Sequence, residues 1–533
     1  MAERIYLNFI WHMHQPFYWN AEENLFDFPW VRTHTTKDYC FMAKILKQFP
    51  AVKMTFNFSP SLIRQFTLYL EGKEDKVMQL AKKKAQDLTP EEKKSVLERF
   101  FLAPSVKQTE NWPRFLELKN KAGEGVATFD TQDFLDLQII YQLLWFDPLT
   151  IEENRRLKQL VVQGKNFEEQ DKEVLWEATK QSFRTVEPLY RELMEKEQIE
   201  IATSPFYHPI LPLLIDSKVG AQSNPGLTLP EENFSYPEDA VAQIRRALDF
   251  TREFWGKAAL GMWPSEGAVS EEALSIMVDQ SLSWSASGEE VLYRSLAKEI
   301  QRDGEGLIQS PEILYSPYAF SGKTGKIGLF FRDRFLSDLI GFEYQYWDSK
   351  EAAQDLIEKI RKIKLSLPDE GQFVVTIILD GENAWEYYPN NGLYFLTELY
   401  QTIAESPDLV PITPSQLNEQ ISSFPELSQV VPGSWIFGLL DTWIGHPQKN
   451  QAWNSLARVR KEWEKEKERV ASVSPGVVEQ IWDLLYQAEG SDWFWWLGED
   501  NPSSEKLAFQ NHFSYLVQEV WKKMGKKEEI KVF

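Results

Sequence analysis

The feature that most constrains this chain is the recurrence, between residues 5 and 379, of short apolar runs separated by stretches of helical spacing. The runs fall at 5–11, 52–58, 198–203, 259–263, 282–286, 327–331 and 373–379. Apolar runs of that length, bounded by turn residues, read as buried strands. Segments such as 270–280 and 350–363 place apolar residues three or four apart, the period of a helix with one buried face. Strands alternating with helices build parallel βαβ units. About seven of them suggest a closed or nearly closed β/α barrel, which would carry its chemistry at the C-terminal ends of the strands.

Two regions depart from that rhythm. From about 70 to 196 Lys, Glu and Leu dominate, and Thr89-Pro90-Glu91-Glu92 is a helix start with a capping threonine and proline at the first helical position. This reads as a helical insertion. After Pro432 helical stretches return at 452–470, 475–490 and 504–523. The charge run 458–469 is a solvated face, and the basic tail 522–531 is expected to fray. The expected layout is a barrel domain over 1–425, with its insertion, and an all-helical C-terminal domain over 426–533.

A formal charge of -22 disfavours nucleic acid and anionic membranes as partners and leaves a neutral substrate unpenalised. Cys40 is the single cysteine, so no intrachain disulfide is possible, which suits a reducing compartment. The N-terminus enters the first run directly, too short and too patterned for a signal peptide, and no segment has the length of a membrane-spanning helix. The chain is read as cytoplasmic. Its 20 Trp residues supply either a thick core or flat surfaces on which sugar rings stack.

Three strand ends carry candidate chemistry. In Trp11-His12-Met13-His14-Gln15-Pro16 the two histidines, two residues apart on a strand, face the same way. They could contact sugar hydroxyls, form a satisfied core pair, or begin a metal site, for which no third ligand stands out. Gly261-Met262-Trp263-Pro264-Ser265-Glu266 delivers a carboxylate where a strand stops; Glu266 could also merely neighbour the cap of the next helix. The run 374–379 leads to Asp380-Gly381-Glu382-Asn383-Ala384-Trp385, where Gly381 permits a tight turn. Asp380 could instead hold a metal or cap a helix, and Glu382 is a rival for its role. Two carboxylates on different strand ends suit glycoside hydrolysis, which needs an acid and a partner. Trp263, Trp385, Trp435 and Trp443 sit among polar residues and glycines, as sugar-stacking residues would.

Together these motifs, with Ile199-Glu200-Ile201 running to Tyr207-His208-Pro209 and the Trp-rich segments near 435, 443 and 493, resemble glycoside hydrolase family 57 in their order across nearly the whole chain. The resemblance implies an incomplete seven-stranded (β/α)7 barrel, followed by a helical domain that closes over the active site. It implies a retaining mechanism on an α-glucan polysaccharide or maltooligosaccharide, with no cofactor and no required metal. Glu266 would be the nucleophile and Asp380 the acid/base. His12, His14, Arg332, Trp385, Trp435 and Asp492 would contact substrate, joined by His208, Trp263 and Trp443. The family spans amylases, amylopullulanases, branching enzymes and 4-α-glucanotransferases. His-x-His-Gln-Pro and His208 resemble the amylase and amylopullulanase members, which implies cleavage of α-1,4 bonds, with α-1,6 bonds as the open option. A transferase with the same pair, a metal-dependent deacetylase and a non-catalytic carbohydrate binder are the alternatives.

Overall fold

A computed structural model describes residues 3–102, 105–503, 505–528 and 530–533. The seven runs form the parallel strands of one barrel: β1 (Ile5–Met13), β2 (Met54–Phe58), β3 (Ile199–Thr203), β4 (Gly261–Met262), β5 (Trp284–Gly288), β6 (Lys326–Arg332) and β7 (Val374–Asp380). They neighbour one another in the order β7-β1-β2-β3-β4-β5-β6. β7 pairs back onto β6 at Thr376 and Arg332, so the expected seven-stranded ring is closed, through that one registered pair.

Period-two alternation decides what faces the barrel axis. On β1, Leu7, Phe9, Trp11 and Met13 pack into the main core beneath the helices. Ile10, with Tyr6 against it, joins a second cluster inside the barrel, with Ala202, Trp284, Ala286, Phe330 and Ile378. On β7 the residues alternate the same way, Val375, Ile377 and Leu379 against Val374 and Ile378. The next inward positions are His12 and Asp380, which are register partners at the top of adjacent strands.

β4 is shorter than the run 259–263 suggested. Pro264 brings no N–H to the ladder. Gly261 is pinned for another reason: a Cβ there would lie 1.8 Å from the Trp284 ring. Among the described residues four short strands escaped the sequence reading, of which Trp19–Asn20 and Leu25–Phe26 pair with each other outside the barrel. Tyr318–Ser321 runs antiparallel to β6, and Leu409–Pro411 pairs with the start of β1.

Between β2 and β3 the elements are helical, including Pro90–Arg99, Thr131–Leu143 and the long Asp171–Glu195. Thr89 and Glu92 close the capping box at the first of these. The C-terminal region is built from Pro447–Val473, Pro475–Ala488, Ser491–Trp496 and Lys506–Lys523. Residue 504, where the last of these was expected to begin, lies outside the described residues. The tail does not simply fray: Ile530 and Val532 are buried, and the Val532 carbonyl accepts a hydrogen bond from Ser455 Oγ at 3.1 Å. Among the described residues no helix is long and apolar enough to cross a membrane.

Candidate active site

At the C-terminal ends of the strands two cavities, about 790 and 510 Å³, share Asp380, Asn383, Trp435 and Trp495 as common walls. The smaller one also touches His12, His14, Glu266, Glu382 and Asp492. The larger touches Arg332 and lacks Glu266.

Glu266 stands just past β4, in a single 3₁₀ turn, at φ 58° and ψ 24°. A non-glycine residue in the left-handed region is strained and survives where its surroundings over-determine it. Here Trp435 does so twice. Its backbone N–H donates to the Glu266 carbonyl at 3.0 Å, and its Nε1–H donates to Glu266 Oε2 at 2.9 Å. Desolvation pushes the Glu266 carboxyl up to about 8, and the negative charge of Asp380 adds to the shift. Asp380 is raised as well, first by desolvation, while Asn383, donating to its Oδ2 at 3.0 Å, and the Arg332 charge pull it back. The charge of Asp380 thus raises Glu266, and carboxyls coupled in this way titrate as a pair. Gly381 serves close approach rather than a special turn, since a Cβ there would lie 2.5 Å from Met13.

The histidines divide by partner. His12 Nδ1 lies 2.6 Å from Asn57 Oδ1, and burial, aided by His14, pushes its pKa down to about 3, so the ring is neutral. For His14, burial alone would lower the pKa; the charge and hydrogen bonds of Asp492, both of whose oxygens lie 3.1 Å from Nε2, overcome it and the pKa is raised. Asp492 thus favours the charged form of His14 beside the two carboxyls. Asp492 arrives from the C-terminal region through a latch, in which the Ser491 N–H donates to the His208 carbonyl at 3.0 Å.

His14, His208 and Asp492 are the one group among the described residues whose ligand atoms converge as a metal site would require. The fit is poor. The two imidazoles stack at 3.7 Å with planes 20° apart, which sets their lone pairs side by side instead of aiming them at one point. His14 Nε2 is already bonded to Asp492.

The predicted site residues fall into two sets. His12, His14, Glu266, Asp380, Arg332, Trp435 and Asp492 line the cleft. Four lie outside those cavity walls and are packed against neighbouring side chains. Trp385 is buried, donates Nε1–H to the Gly381 carbonyl at 2.9 Å and meets Trp11 edge-on. Trp443 is buried behind Trp495. Trp263 is buried beneath Trp435, rings 5.2 Å apart. His208 is buried behind His14, its pKa lowered well below the usual value by burial and then by the charges of His14 and His12. Each has a flat ring that its local motif could not distinguish from an exposed platform.

Other residues in and behind the cleft were not singled out, apart from Glu382, the rival for the Asp380 role. Asn57 is a buried amide between two phenylalanines on β2, and that polar break in an apolar strand was its signal. Gln15 donates to Glu382 at 2.8 Å, and Glu382, pushed up to about 7 chiefly by desolvation, forms a wall beside Asp380. Trp495 and Phe437 line the cleft with no local signal beyond their aromatic neighbourhoods.

The sequence profile described as glycosyl hydrolase family 57 matches residues 8–426. No curated protein sequence matches the chain. Among solved structures, the α-amylase AmyC from Thermotoga maritima is similar at 14% identity and a TM-score of 0.59, covering 98% of this chain and 93% of that one. A family 57 branching enzyme from Thermococcus kodakaraensis is similar at 14% identity and a TM-score of 0.58, covering 98% and 89%. A 4-α-glucanotransferase from Thermococcus litoralis is similar at 16% identity and a TM-score of 0.51, covering 98% and 59%. Likeness at these identities concerns the fold.

Proposed function

Because the chain belongs to glycosyl hydrolase family 57, we propose that it cleaves α-glucans by a retaining mechanism, with Glu266 as nucleophile and Asp380 as acid/base. The observation that carries this reading is that both carboxyls line one cavity, where the charge of Asp380 raises the proton affinity of Glu266. We assign the same chain the layout of a barrel domain over 1–425 and a helical domain over 426–533 that contributes Asp492 to the cleft.

In the free site burial and the charge of Asp380 favour the protonated form of Glu266. As a sugar reacts, C1 becomes electron-poor, which favours ionised Glu266 and leaves the proton to Asp380. Trp435 Nε1–H, donating to Glu266 Oε2, stabilises the same ionised form. Asp380 then protonates the leaving glycosidic oxygen while Glu266 bonds to C1. In the second step Asp380 takes a proton from water, the water oxygen bonds to C1 and the Glu266 ester breaks. Neutral His12, whose Nδ1 is held by Asn57, presents Nε2 to sugar hydroxyls beside the pair, while His14, with both ring nitrogens taken by Ser59 and Asp492, holds Asp492 at the cleft. Hydrolysis of α-1,4 bonds, as in the amylase members, is the finer reading. A transferase using the same pair is the second, favoured by the room for a sugar beyond Asp380.

The test separates the two carboxyls. Glu266→Ala should lose turnover of maltoheptaose and regain it with azide, releasing a glycosyl azide of inverted configuration. Recovery of that product from Asp380→Ala instead would exchange the roles, and full activity in both variants would reject the pair. New reducing ends counted per bond cleaved distinguish hydrolysis from transfer.

A further inference from the structure

The two cavities differ in which carboxyl they touch, and that difference orients the substrate. A nucleophile bonds to C1 of the sugar on the non-reducing side of the broken bond, whereas the acid/base meets the oxygen leaving toward the reducing side. The smaller cavity touches Glu266 and Asp380 and holds the first sugar. The larger touches Asp380 alone and lies on the leaving-group side.

The rim of that larger cavity is unusual for this chain. The large aromatics that stand most open to solvent among the described residues are Phe342, Tyr346, Trp347, Tyr387, Tyr394 and Phe437. They come from three short segments, and Phe342, Tyr387 and Phe437, at 65%, 44% and 67% exposure, line the cavity from three directions. Exposed apolar surface gathered in one place marks a binding surface. Phe437 carries a second mark: it holds φ 53°, a strained conformation for an aromatic residue, while burying little of its ring. Phe342 stands in a π-helical turn, Leu339–Glu343, a distortion frequent at functional sites. Arg334 lies over the Phe437 ring at 5.3 Å, and Arg302 and Arg332 add donors to the wall. Flat apolar faces interleaved with guanidinium donors match the two surfaces of a glucose unit, its C–H face and its hydroxyl edge.

We propose that Phe342, Tyr387 and Phe437 form a stacking platform for the reducing-side portion of an α-glucan, making this chain selective for substrates with sugars beyond the cleaved bond. The proposal rests on the carboxylate assignment above, which fixes the direction of the chain.

The experiment compares two substrates in the full-length protein: maltoheptaose, which fills both arms, and 4-nitrophenyl α-maltoside, whose leaving group is a single aromatic ring. In the double variant Phe342→Ala/Phe437→Ala the ratio of kcat/KM for maltoheptaose to that for the aryl substrate should fall about tenfold or more, through KM. Both side chains are exposed, so the fold should tolerate their loss, and circular dichroism checks this. Maltoheptaose binding to Glu266→Gln, measured by calorimetry, should weaken by a similar factor when the double substitution is added. An unchanged ratio with unchanged binding overturns the platform while leaving the carboxylate pair intact. Wild-type protein that cleaves neither substrate yet binds maltoheptaose through the aromatics would reject the catalytic reading and keep the platform as a glucan-binding surface. Absence of maltoheptaose binding rejects both.

Discussion

Two carboxylates of one barrel invite comparison. Glu200, on β3, faces the N-terminal end of the barrel, and Glu266 follows β4 at the C-terminal end. Glu200 accepts from Trp284 Nε1 at 2.6 Å, from Ser415 Oγ at 2.6 Å and from the Ser415 N–H at 3.1 Å. Glu266 has Trp435 as side-chain donor, a strained backbone and a second carboxyl across the cavity. The first is satisfied by its surroundings and locks β3, β5 and the segment after the barrel together. The second is under-bonded and desolvated, which leaves it reactive. In a barrel the bottom face contributes stability and the top face contributes chemistry.

The sharpest way to break this contrast is to neutralise each carboxyl. Glu266→Gln should lower kcat on maltoheptaose by about 10⁴-fold or more while the protein remains folded. Steady-state assays decide it; a loss under tenfold would remove Glu266 from the chemistry. Asp380→Asn should cost about 10²–10⁴-fold on maltoheptaose and markedly less on an aryl glycoside, whose leaving group needs little protonation. Equal losses on the two substrates would deny it the acid role.

The comparison sharpens at Asp492, which joins the C-terminal region to the top of the barrel. Asp492→Asn should reduce kcat/KM by about ten- to a hundredfold, because His14 loses its charged partner. The His14 pKa, read by NMR, should fall in the same variant. A third test concerns the titration of the pair. Glu266 is raised to about 8, so the protonated form the pair needs is present below that pH and lost above it. The alkaline limb of kcat/KM should therefore fall near pH 8. In Asp380→Asn the Glu266 carboxyl, followed by ¹³C NMR, should titrate lower than in wild type, and an unmoved titration would show that the two groups do not interact.

The same shift has a stability consequence. A buried carboxyl with a raised pKa favours the folded state below its unfolded value of 4.5 and loses that advantage as pH rises toward about 8. Glu266→Gln should gain thermal stability relative to wild type across that window. Glu200→Gln, the smallest expected effect on activity, should leave kcat within about twofold and lower unfolding free energy by about 1–3 kcal/mol, since buried donors lose a charged acceptor. Denaturant titration checks it, and a catalytic collapse without a stability change would reverse the assignment of the two ends.

The barrel was legible because alternation survives in the sequence. Ile10 and His12 on β1, and Ile378 and Asp380 on β7, follow from a period of two, and that period carries both functional residues to the top. Seven strands suggested a closed or nearly closed ring; which of the two it is depends on one contact between Thr376 and Arg332, residues that no local pattern relates. Tryptophan shows the same limit. Trp435 and Trp385 both sit within a few residues of a glycine and a polar side chain, yet one holds Glu266 and the other packs against Trp11. The side of the backbone on which a loop ring falls is decided by what packs against it.

By itself, then, the sequence determined the strand-and-helix alternation, the carboxylates at two strand ends and the histidine pair, because local periodicity and turn chemistry act over a few residues. The tertiary structure alone decided that Asp492, 478 positions after His14, would favour the charged form of that histidine. It likewise decided that Phe342, Tyr387 and Phe437 would share one rim. Those outcomes depend on long-range packing, where the burial of one region sets the exposure, charge and proton affinity of another.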